Sequence, residues 1–512
     1  MEDILKLIDI TKKRGQRSIQ LVNQNFRKKE VSKDNQLYDG ILNGKFDTDD
    51  KAAKSMFKSN PGNRNYRNAK GKLKQKLLNH LYFLDYDKSS YTLFNKCEYE
   101  SLHLLHQCKI LIREGANDIA IKLLPQLLKN AKQFECVDIV VEALTILRNE
   151  YARLGKTTPF YETQKELDYY LSFKDAVDAS EKDFHEILVY VNKSVSAQNR
   201  ILSKIPDVVD EMQKRSERFK SRQIDRLVFK LQSLYNELSW NFEENIKLCT
   251  TIEEKYLRKD NSEIDINLSK KEVALAKLKA FYCLKDAEKG GAYAQKSMKL
   301  FKPGTYRWFL FMEIYFLLMM RGEKYKKAGE IFRKVRTNKN YGNLPEMNKE
   351  KWQIYRAYLV FVNDSKLLRW GFNLEEFVGA IPAFPKENAS YNISTLIIQY
   401  IYLLKEGNID EVRRRIEELQ QYNSTHLDKR HNYRNSIFIR LLSIVTEKEF
   451  NYELIEEKGK NYYSKLTNTN IPTDPDTEME VIPYEKLYMY ILDYLKTNKI
   501  YVHYRFYNLN VV

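Results

Sequence analysis

Glycine and proline are scarce in this chain. Of 512 residues, 17 are Gly and 11 are Pro, together about 5% against about 12% in average usage. That scarcity excludes a turn-rich β-sandwich, a collagen-like chain and linker-like sequence. Cysteine is scarce as well. Cys97, Cys108, Cys136, Cys249 and Cys283 make an odd set with no CxxC spacing. Neither a disulfide framework nor a zinc ribbon is expected from it. Free thiols suit a reducing compartment, so a cytoplasmic location is expected. Long apolar runs are missing. The most apolar stretch, Trp308–Met320 (WFLFMEIYFLLMM), has 13 residues and contains Glu313. A spanning helix needs about 20 apolar residues, so this stretch reads as a helix buried on most sides, and no membrane partner is expected. The start, MEDILKLIDITKKRGQ, lacks an apolar core with a small-residue cleavage site, and no secretory signal is expected there.

Recognisable catalytic spacings are missing too. No P-loop, no GxGxxG, no HExxH and no GxSxG is present. His103, His106 and Cys108 stand close together, but positions i, i+3 and i+5 of a helix do not share a face. They read as ordinary helix residues. Pairs such as Glu417 and Glu418 read as outward-facing, without the protected setting that acid–base chemistry needs. Trp240, Trp308, Trp352 and Trp370 read as core or groove packing. The expectation is a protein that is not an enzyme, with no catalytic residue, no cofactor and no metal.

What is present is helix and positive charge. Hydrophobic residues make up 43% and charged residues 30%, with 86 Lys+Arg against 69 Asp+Glu, a net +17. This is a globular composition, not a disordered one. The excess is local. Residues 1–80 hold 19 basic and 9 acidic residues, a net +10, which leaves +7 for the other 432. From Lys51 to His80 there is no acidic residue at all. Such asymmetry points to an acidic partner.

From Tyr99 onward, apolar residues recur at i, i+3, i+4 and i+7, the period of an amphipathic helix. Tyr99–Arg113 reads as a helix with Leu102, Leu105, Ile110 and Leu111 inward, and Asp118–Lys132 as its return. Ile139–Leu154 follows, then separate helices near Tyr161–Phe173 and Glu181–Val195. Pro206 reads as an interruption, after which a basic amphipathic stretch runs to Asn236. Helices near Lys271–Leu284, Ala292–Phe301, Tyr306–Arg321, Tyr325–Val335, Asn348–Phe361, Asn392–Lys405, Asp410–Gln421, Asn435–Thr446 and Tyr484–Leu495 complete the series. Breaks fall at Asn60–Asn63, Gly371–Asn388 and Thr467–Pro483. The last carries Asp474, Asp476, Glu478 and Glu480 and reads as a solvated acidic loop. The fold class expected is all-α: a basic helical N-terminal domain over residues 1–95, then helical repeats over 96–205, 206–365 and 366–512.

A weak internal repeat supports this. Counting from Gly407, Ile409, Val412, Ile416 and Leu419 fall at offsets where Gly115 has Asn117, Ala120, Leu124 and Leu127. Ala328, Phe332 and Val335 repeat the internal spacing with one extra residue after Gly322, and Ala294, Met298 and Phe301 form a fourth set. Gly permits positive φ in the turn, and a small first residue lets two helices approach. The pattern resembles the tetratricopeptide repeat over about residues 99–465. The first-helix Trp and Leu-Gly positions are not filled, and the period is not constant. The resemblance implies an α-solenoid that binds a peptide or a partner helix on its concave face. It transfers no binding residue.

In the basic segment, Leu37–Ile41 reads as a short helix, and FDTDDKAAKSMF as a helix capped by Thr48 or Asp47. Arg64–Leu84 reads as a longer helix with Leu73, Leu77, Leu78 and Leu81 inward. Helix, turn, basic helix resembles the winged-helix part of bacterial regulators that carry tetratricopeptide repeats behind it. The resemblance implies that Arg64, Arg67, Lys70, Lys72, Lys74 and Lys76 face DNA, with LYFLDYDKSSYTLF as the place for a wing. A solvated helix and a docking surface for an acidic protein are the other readings. A second basic stretch, Lys214, Arg215, Arg218, Lys220, Arg222 and Arg226, reads as a solvated face. The function expected is an adaptor or regulator that binds a protein or peptide on a helical-repeat surface. The alternative is a nucleic-acid-binding regulator that uses residues 51–80. An oligomeric scaffold, pairing through Val208–Leu238, is the third class.

Overall fold

A computed structural model describes residues 32–80, 93–256, 269–363, 371–380, 389–426, 433–469 and 479–497. These residues form 22 α-helices and no strand. The chain divides into two compact units. The first is Met1–Lys182 with Arg215–Gln223 and Glu263–Asn267; the second is Asp183–Lys214, Ile224–Ser262 and Leu268–Val512.

The first unit opens with α1 (Lys33–Leu42), α2 (Asp49–Phe57) and α3 (Arg64–His80). Leu37, Phe46, Ala52, Ala53, Tyr66 and Leu73 form their small core. Then come α4 (Leu93–Arg113), α5 (Asn117–Gln133), α6 (Val137–Arg153) and α7 (Thr157–Lys193), the last of which runs on past the division. α4 packs on α5 and α5 on α6, and α7 joins them through Leu167. Their shared core holds Leu105, Leu111, Ala120, Leu124, Leu127, Leu128, Leu144, Leu147 and Leu167. Two sequence expectations change here. Leu102 and Ile110 are 45% and 43% exposed, because the inward face of α4 is set by Leu105, Cys108 and Leu111. The two helices expected between residues 161 and 195 are one 37-residue α7. No glycine or proline interrupts Thr163–Lys193, so nothing in the backbone ends a turn there.

The remaining helices are α8 (Val195–Leu202), α9 (Ile205–Phe219), α10 (Arg222–Leu238), α11 (Phe242–Tyr256), α12 (Lys270–Cys283), α13 (Ala287–Ser297), α14 (Tyr306–Arg321), α15 (Tyr325–Arg336), α16 (Glu346–Val362), α17 (Leu374–Gly379), α18 (Ala389–Glu406), α19 (Ile409–His426), α20 (Tyr433–Glu447), α21 (Tyr452–Thr467) and α22 (Tyr484–Thr497). Pro206 stands in the first turn of α9, where its missing N–H is no loss. It follows the break at Ser203–Lys204 between α8 and α9, as expected, and a second break falls at Lys220–Ser221 within the stretch read as running on to Asn236. Consecutive helices pack as pairs: α11 with α12, α14 with α15, α18 with α19, and α20 with α21. The apolar stretch is α14, with Phe311, Met312, Phe316 and Leu318 fully buried. Its Glu313 is buried as well. It pairs with Lys351 at 2.7 Å and accepts the Tyr355 hydroxyl at 2.6 Å. No described helix is long and apolar enough to cross a membrane.

One turn recurs between consecutive helices. A residue with positive φ is followed by one whose N–H donates to the carbonyl five positions back, and the next helix starts immediately after. The positive-φ residues are Gly115, Glu135, Gly155, Lys220, Trp240, Lys285, Glu323 and Gly407. The paired bonds run, for example, from Ala116 to Leu111, Asp286 to Phe281, Lys324 to Met319 and Asn408 to Leu403. Counted from this residue, position five is the fully buried Ala120, Val140, Asn245, Ala328 and Val412; after Gly155 and Lys220 it is the half-buried Phe160 and Asp225. This register explains the extra residue after Gly322, since Glu323 is the positive-φ residue of that turn. It also corrects the fourth set. Counted from Lys285, position five is Gly290, and Ala294 is position nine.

Candidate functional site

The basic segment folds as the α1–α3 bundle. Thr48 caps α2 by accepting the Lys51 N–H at 3.3 Å, which places the start of the helix. In α3 the inward residues are Tyr66, Ala69 and Leu73. Leu77 and Leu78 are not inward, contrary to the helical count; they are 42% and 45% exposed. They line an open cleft together with Leu37 and Ile41 of α1 and so face solvent. Leu81, the rest of Arg64–Leu84 beyond His80, and the segment proposed as a wing lie outside the described residues, apart from Leu93 and Phe94, which open α4.

The six predicted basic residues divide into two groups. Lys70 and Lys76 hold the bundle together. Lys70 gives hydrogen bonds to both oxygens of Asp49, at 2.7 and 2.8 Å, and Tyr66 donates to the same carboxylate at 2.5 Å. Lys76 pairs with Asp34 at 2.6 Å, with both side chains largely buried. Arg64, Arg67, Lys72 and Lys74 are exposed. Arg64, Arg67 and Lys74 lie on one side of α3 and Lys72 on the other, by helical spacing. Beside Lys74 an open cleft of about 600 Å³ lies between the helices. Leu37, Ile41, Phe46, Leu73, Leu77 and Leu78 make its floor and walls, and Asp47, Asp49 and Lys70 also line it.

The electrostatics fix a pH window. Burial opposes ionisation of Asp34, but hydrogen bonds from Lys76 and Ser32 outweigh it and hold its carboxyl below the ordinary value. Hydrogen bonds from Lys70 and Tyr66 lower that of Asp49. Burial, with Asp49 alongside, pushes the Tyr66 phenol up to about 12. A carboxylate with a lowered folded pKa adds stability that is present above its unfolded value, about 3.9, and lost as pH falls through the folded one. Hydrogen-exchange protection of α1 and α3 in the full chain should therefore be higher in wild type than in Asp34→Asn at neutral pH. The difference should vanish on acidification below about pH 4. A difference that stayed constant down to the acid limit would remove the pair from the bundle's stability.

The other candidate groups do not converge. Cys108 is in the core, while His103 and His106 are exposed. Among the described residues no three His, Cys, Asp or Glu side chains gather as a metal site would need. In the second basic stretch, Lys214 pairs with Glu211, Arg215 reaches Ser180 Oγ at 3.4 Å and Arg218 lies 5.0 Å over the Phe219 ring. Lys220 has positive φ in the turn. The Arg222 N–H donates to Glu135, and Arg226 pairs with Glu272 at 2.9 Å. Lys214, Arg218, Lys220 and Arg222 are exposed, as a solvated face would be, and only Arg215 and Arg226 are half-buried. Trp308 and Trp352 are core residues, Trp240 is 43% exposed at a turn, and Trp370 lies outside the described residues. Glu418 is not simply outward: it pairs with the buried Arg415 at 2.8 Å.

Glu480 departs most from the sequence reading. It was expected in a solvated loop, and it is 1% exposed. Arg434 donates to it through two nitrogens at 2.8 and 2.7 Å and to Glu485 at 2.6 Å. The same guanidinium donates to the carbonyls of Leu466 and Thr469, both at 2.7 Å. All five of its N–H donors are thereby used. The acidic neighbours push the Arg434 pKa up despite its burial. Met479, Val481, Ile482 and Tyr484 are buried beside it. Asp474, Asp476 and Glu478 lie outside the described residues.

This segment leads into α22, which covers one side of the second unit's pairs. Glu485 and Lys486 pair with Lys285 and Glu323, at the α12–α13 and α14–α15 turns, at 3.5 and 2.8 Å. Tyr490 meets Tyr325 and Phe361, and Tyr494 donates to the Lys405 carbonyl at 2.9 Å. Tyr484 stacks on Phe438 at 4.3 Å. The side of the second unit's pairs that α22 contacts is thus taken by the last described helix of the chain itself. No known protein family, characterised protein or solved structure matches this chain.

Proposed function

We propose that the protein is a non-enzymatic adaptor. Its paired helices form a tetratricopeptide-like scaffold, and its partner is a protein segment that docks on the α1–α3 bundle. One observation carries this reading: the open apolar cleft, with Leu77 and Leu78 exposed at its edge and Arg64, Arg67, Lys72 and Lys74 exposed on the same helix. An amphipathic acidic segment fits such a surface. Its apolar side chains would fill the cleft, and its carboxylates would meet the cations. The covered side of the second unit supports placing the partner on the bundle.

Nucleic acid is the second reading, favoured by Arg64, Arg67 and Lys74 on one side of α3. The two readings differ in what breaks them. Peptides selected from a random display library by the full chain should carry acidic and large apolar residues. Leu77→Asp with Leu78→Asp should weaken them at least tenfold. Mixed duplex DNA should bind weakly by comparison. DNA binding that ignores the leucine changes, is abolished by glutamine at Arg64, Arg67, Lys72 and Lys74, and falls with a log–log salt slope near −0.9 per phosphate would replace the adaptor reading with the nucleic-acid one.

A further inference from the structure

Five cysteines are present as free thiols, and two of them meet. Cys97 lies in the second turn of α4. Cys136 is the last of the three residues between α5 and α6. The Cys136 N–H donates to the Ala131 carbonyl at 2.9 Å, and its thiol lies 3.9 Å from the Phe134 carbonyl. Cys97 Sγ also reaches the Asn130 carbonyl at 3.5 Å, in the last turn of α5, and the Ser101 hydroxyl at 3.8 Å. The meeting follows from topology. The helices α4 and α5 run antiparallel about the Gly115 turn, so the start of α4 lies against the end of α5, and Cys136 stands just beyond it. The turn carrying Cys136 is itself held firmly. The Glu135 carboxylate beside it accepts hydrogen bonds from Ser221 Oγ and from the Arg222 and Gln223 N–H groups, at 3.1, 3.1 and 3.2 Å.

We propose that Cys97 and Cys136 are a reversible disulfide pair, closed by exchange with a small glutathione-class disulfide. A disulfide needs sulfurs about 2.05 Å apart and Cα atoms within about 7 Å. Cys97 Sγ touches the Asn130 carbonyl, next to the Ala131 carbonyl that holds the Cys136 N–H, so a rotamer change and a small shift of the first turns of α4 would bring the two sulfurs together. The Cys97 thiolate attacks one sulfur of the small disulfide. A mixed disulfide forms, and one small thiolate leaves. Cys136 then loses its proton to solvent and attacks the Cys97 sulfur, and the second small thiolate leaves. Two protein thiols lose two electrons, and one small disulfide becomes two small thiols.

The assignment of roles follows from the surroundings. The neighbouring Cys136 lowers the Cys97 pKa, and Cys97 with burial raises that of Cys136. The low-pKa member is the better attacking group. Burial raises the other three thiols: Cys108 rises, and Cys249 and Cys283 go up to about 12. Both pair members are themselves buried, at 6% and 8% exposure, so the exchange proceeds through brief opening of the start of α4. The bond would tie residues 97 to 136 into one ring around the α4–α5 hairpin and set the stability of that hairpin by redox state.

The full chain, incubated in glutathione buffers of increasing oxidised fraction, is quenched with an alkylating agent and digested without reduction. A Cys97–Cys136 linked peptide is expected, two hydrogens lighter than the sum of its parts and lost on adding reductant. The first unit should melt roughly 5 °C or more higher when oxidised. Cys97→Ser and Cys136→Ser should each abolish both effects, with circular dichroism confirming that each variant folds. Cys283→Ser should change neither. A lasting glutathione adduct on Cys97, a link to another cysteine, or five alkylated thiols after prolonged oxidation would each overturn the proposal.

Discussion

Arg434→Met should destabilise the second unit by about 3–5 kcal/mol. The change leaves Glu480, 1% exposed, with little beyond the Tyr484 N–H at 2.8 Å to hold its charge. It also strips the carbonyls of Leu466 and Thr469 of their donors. Three pieces of chain lose their common tie: α20, the end of α21, and the stretch that leads into α22. A buried pair is costly to break from one side because the remaining charge is uncompensated, whereas removing both charges restores much of the loss. Arg434→Met with Glu480→Leu should therefore be more stable than additivity predicts, by about 2 kcal/mol. Denaturant melts of the full chain, followed by the near-ultraviolet signal of the buried Tyr and Trp residues, measure both. Two single losses that simply added would show that the pair acts as two independent groups.

Gly322→Ala should cost about 1–3 kcal/mol, although its backbone gives no reason for it. Gly322 ends α14 with φ −88°, a conformation any residue adopts. A Cβ there would stand 2.1 Å from the Cβ of Ala287. Both atoms are fixed to helix backbone, so neither rotates away, and α13 would have to move from α14. Gly115 is the contrast. Its φ is 79°, and nothing lies within 4 Å of the added atom, so an alanine there meets backbone strain alone. Shortening the neighbour should rescue the first case. Ala287→Gly with Gly322→Ala removes the collision, less up to about 1 kcal/mol for the new helix glycine. Failure of that rescue in thermal melts would mean that the cost lies in the cap and not in the contact.

The helices and most of their inward residues were legible in the sequence. Leu124, Leu127, Val412, Ile416 and Leu419 recur at helical spacing, and all five are buried. The repeat was legible only where its turn uses glycine. Gly115, Gly155 and Gly407 announce the turn; Glu135, Lys220, Trp240, Lys285 and Glu323 adopt the same positive φ without announcing it. The backbone bond that closes the turn does not depend on side-chain type, so a residue pattern misses five of the eight.

The basic segment shows the same division. Composition alone located the positive charge and the lack of acids between Lys51 and His80. It could not tell a free cation from a tied one. The acids that claim Lys70 and Lys76 are Asp49 and Asp34, 21 and 42 positions earlier in the chain, and only packing brings them near. Likewise periodicity counted Leu77 and Leu78 as inward because it sees one helix at a time, and their exposure follows from the cleft left open beside α1. The acidic stretch before α22 looked solvated for the same reason. Local sequence set how each segment coils and which face of it is apolar. Which charges meet, and which apolar faces stay open, was decided by residues distant along the chain, because burial and ion pairing are properties of neighbours in space.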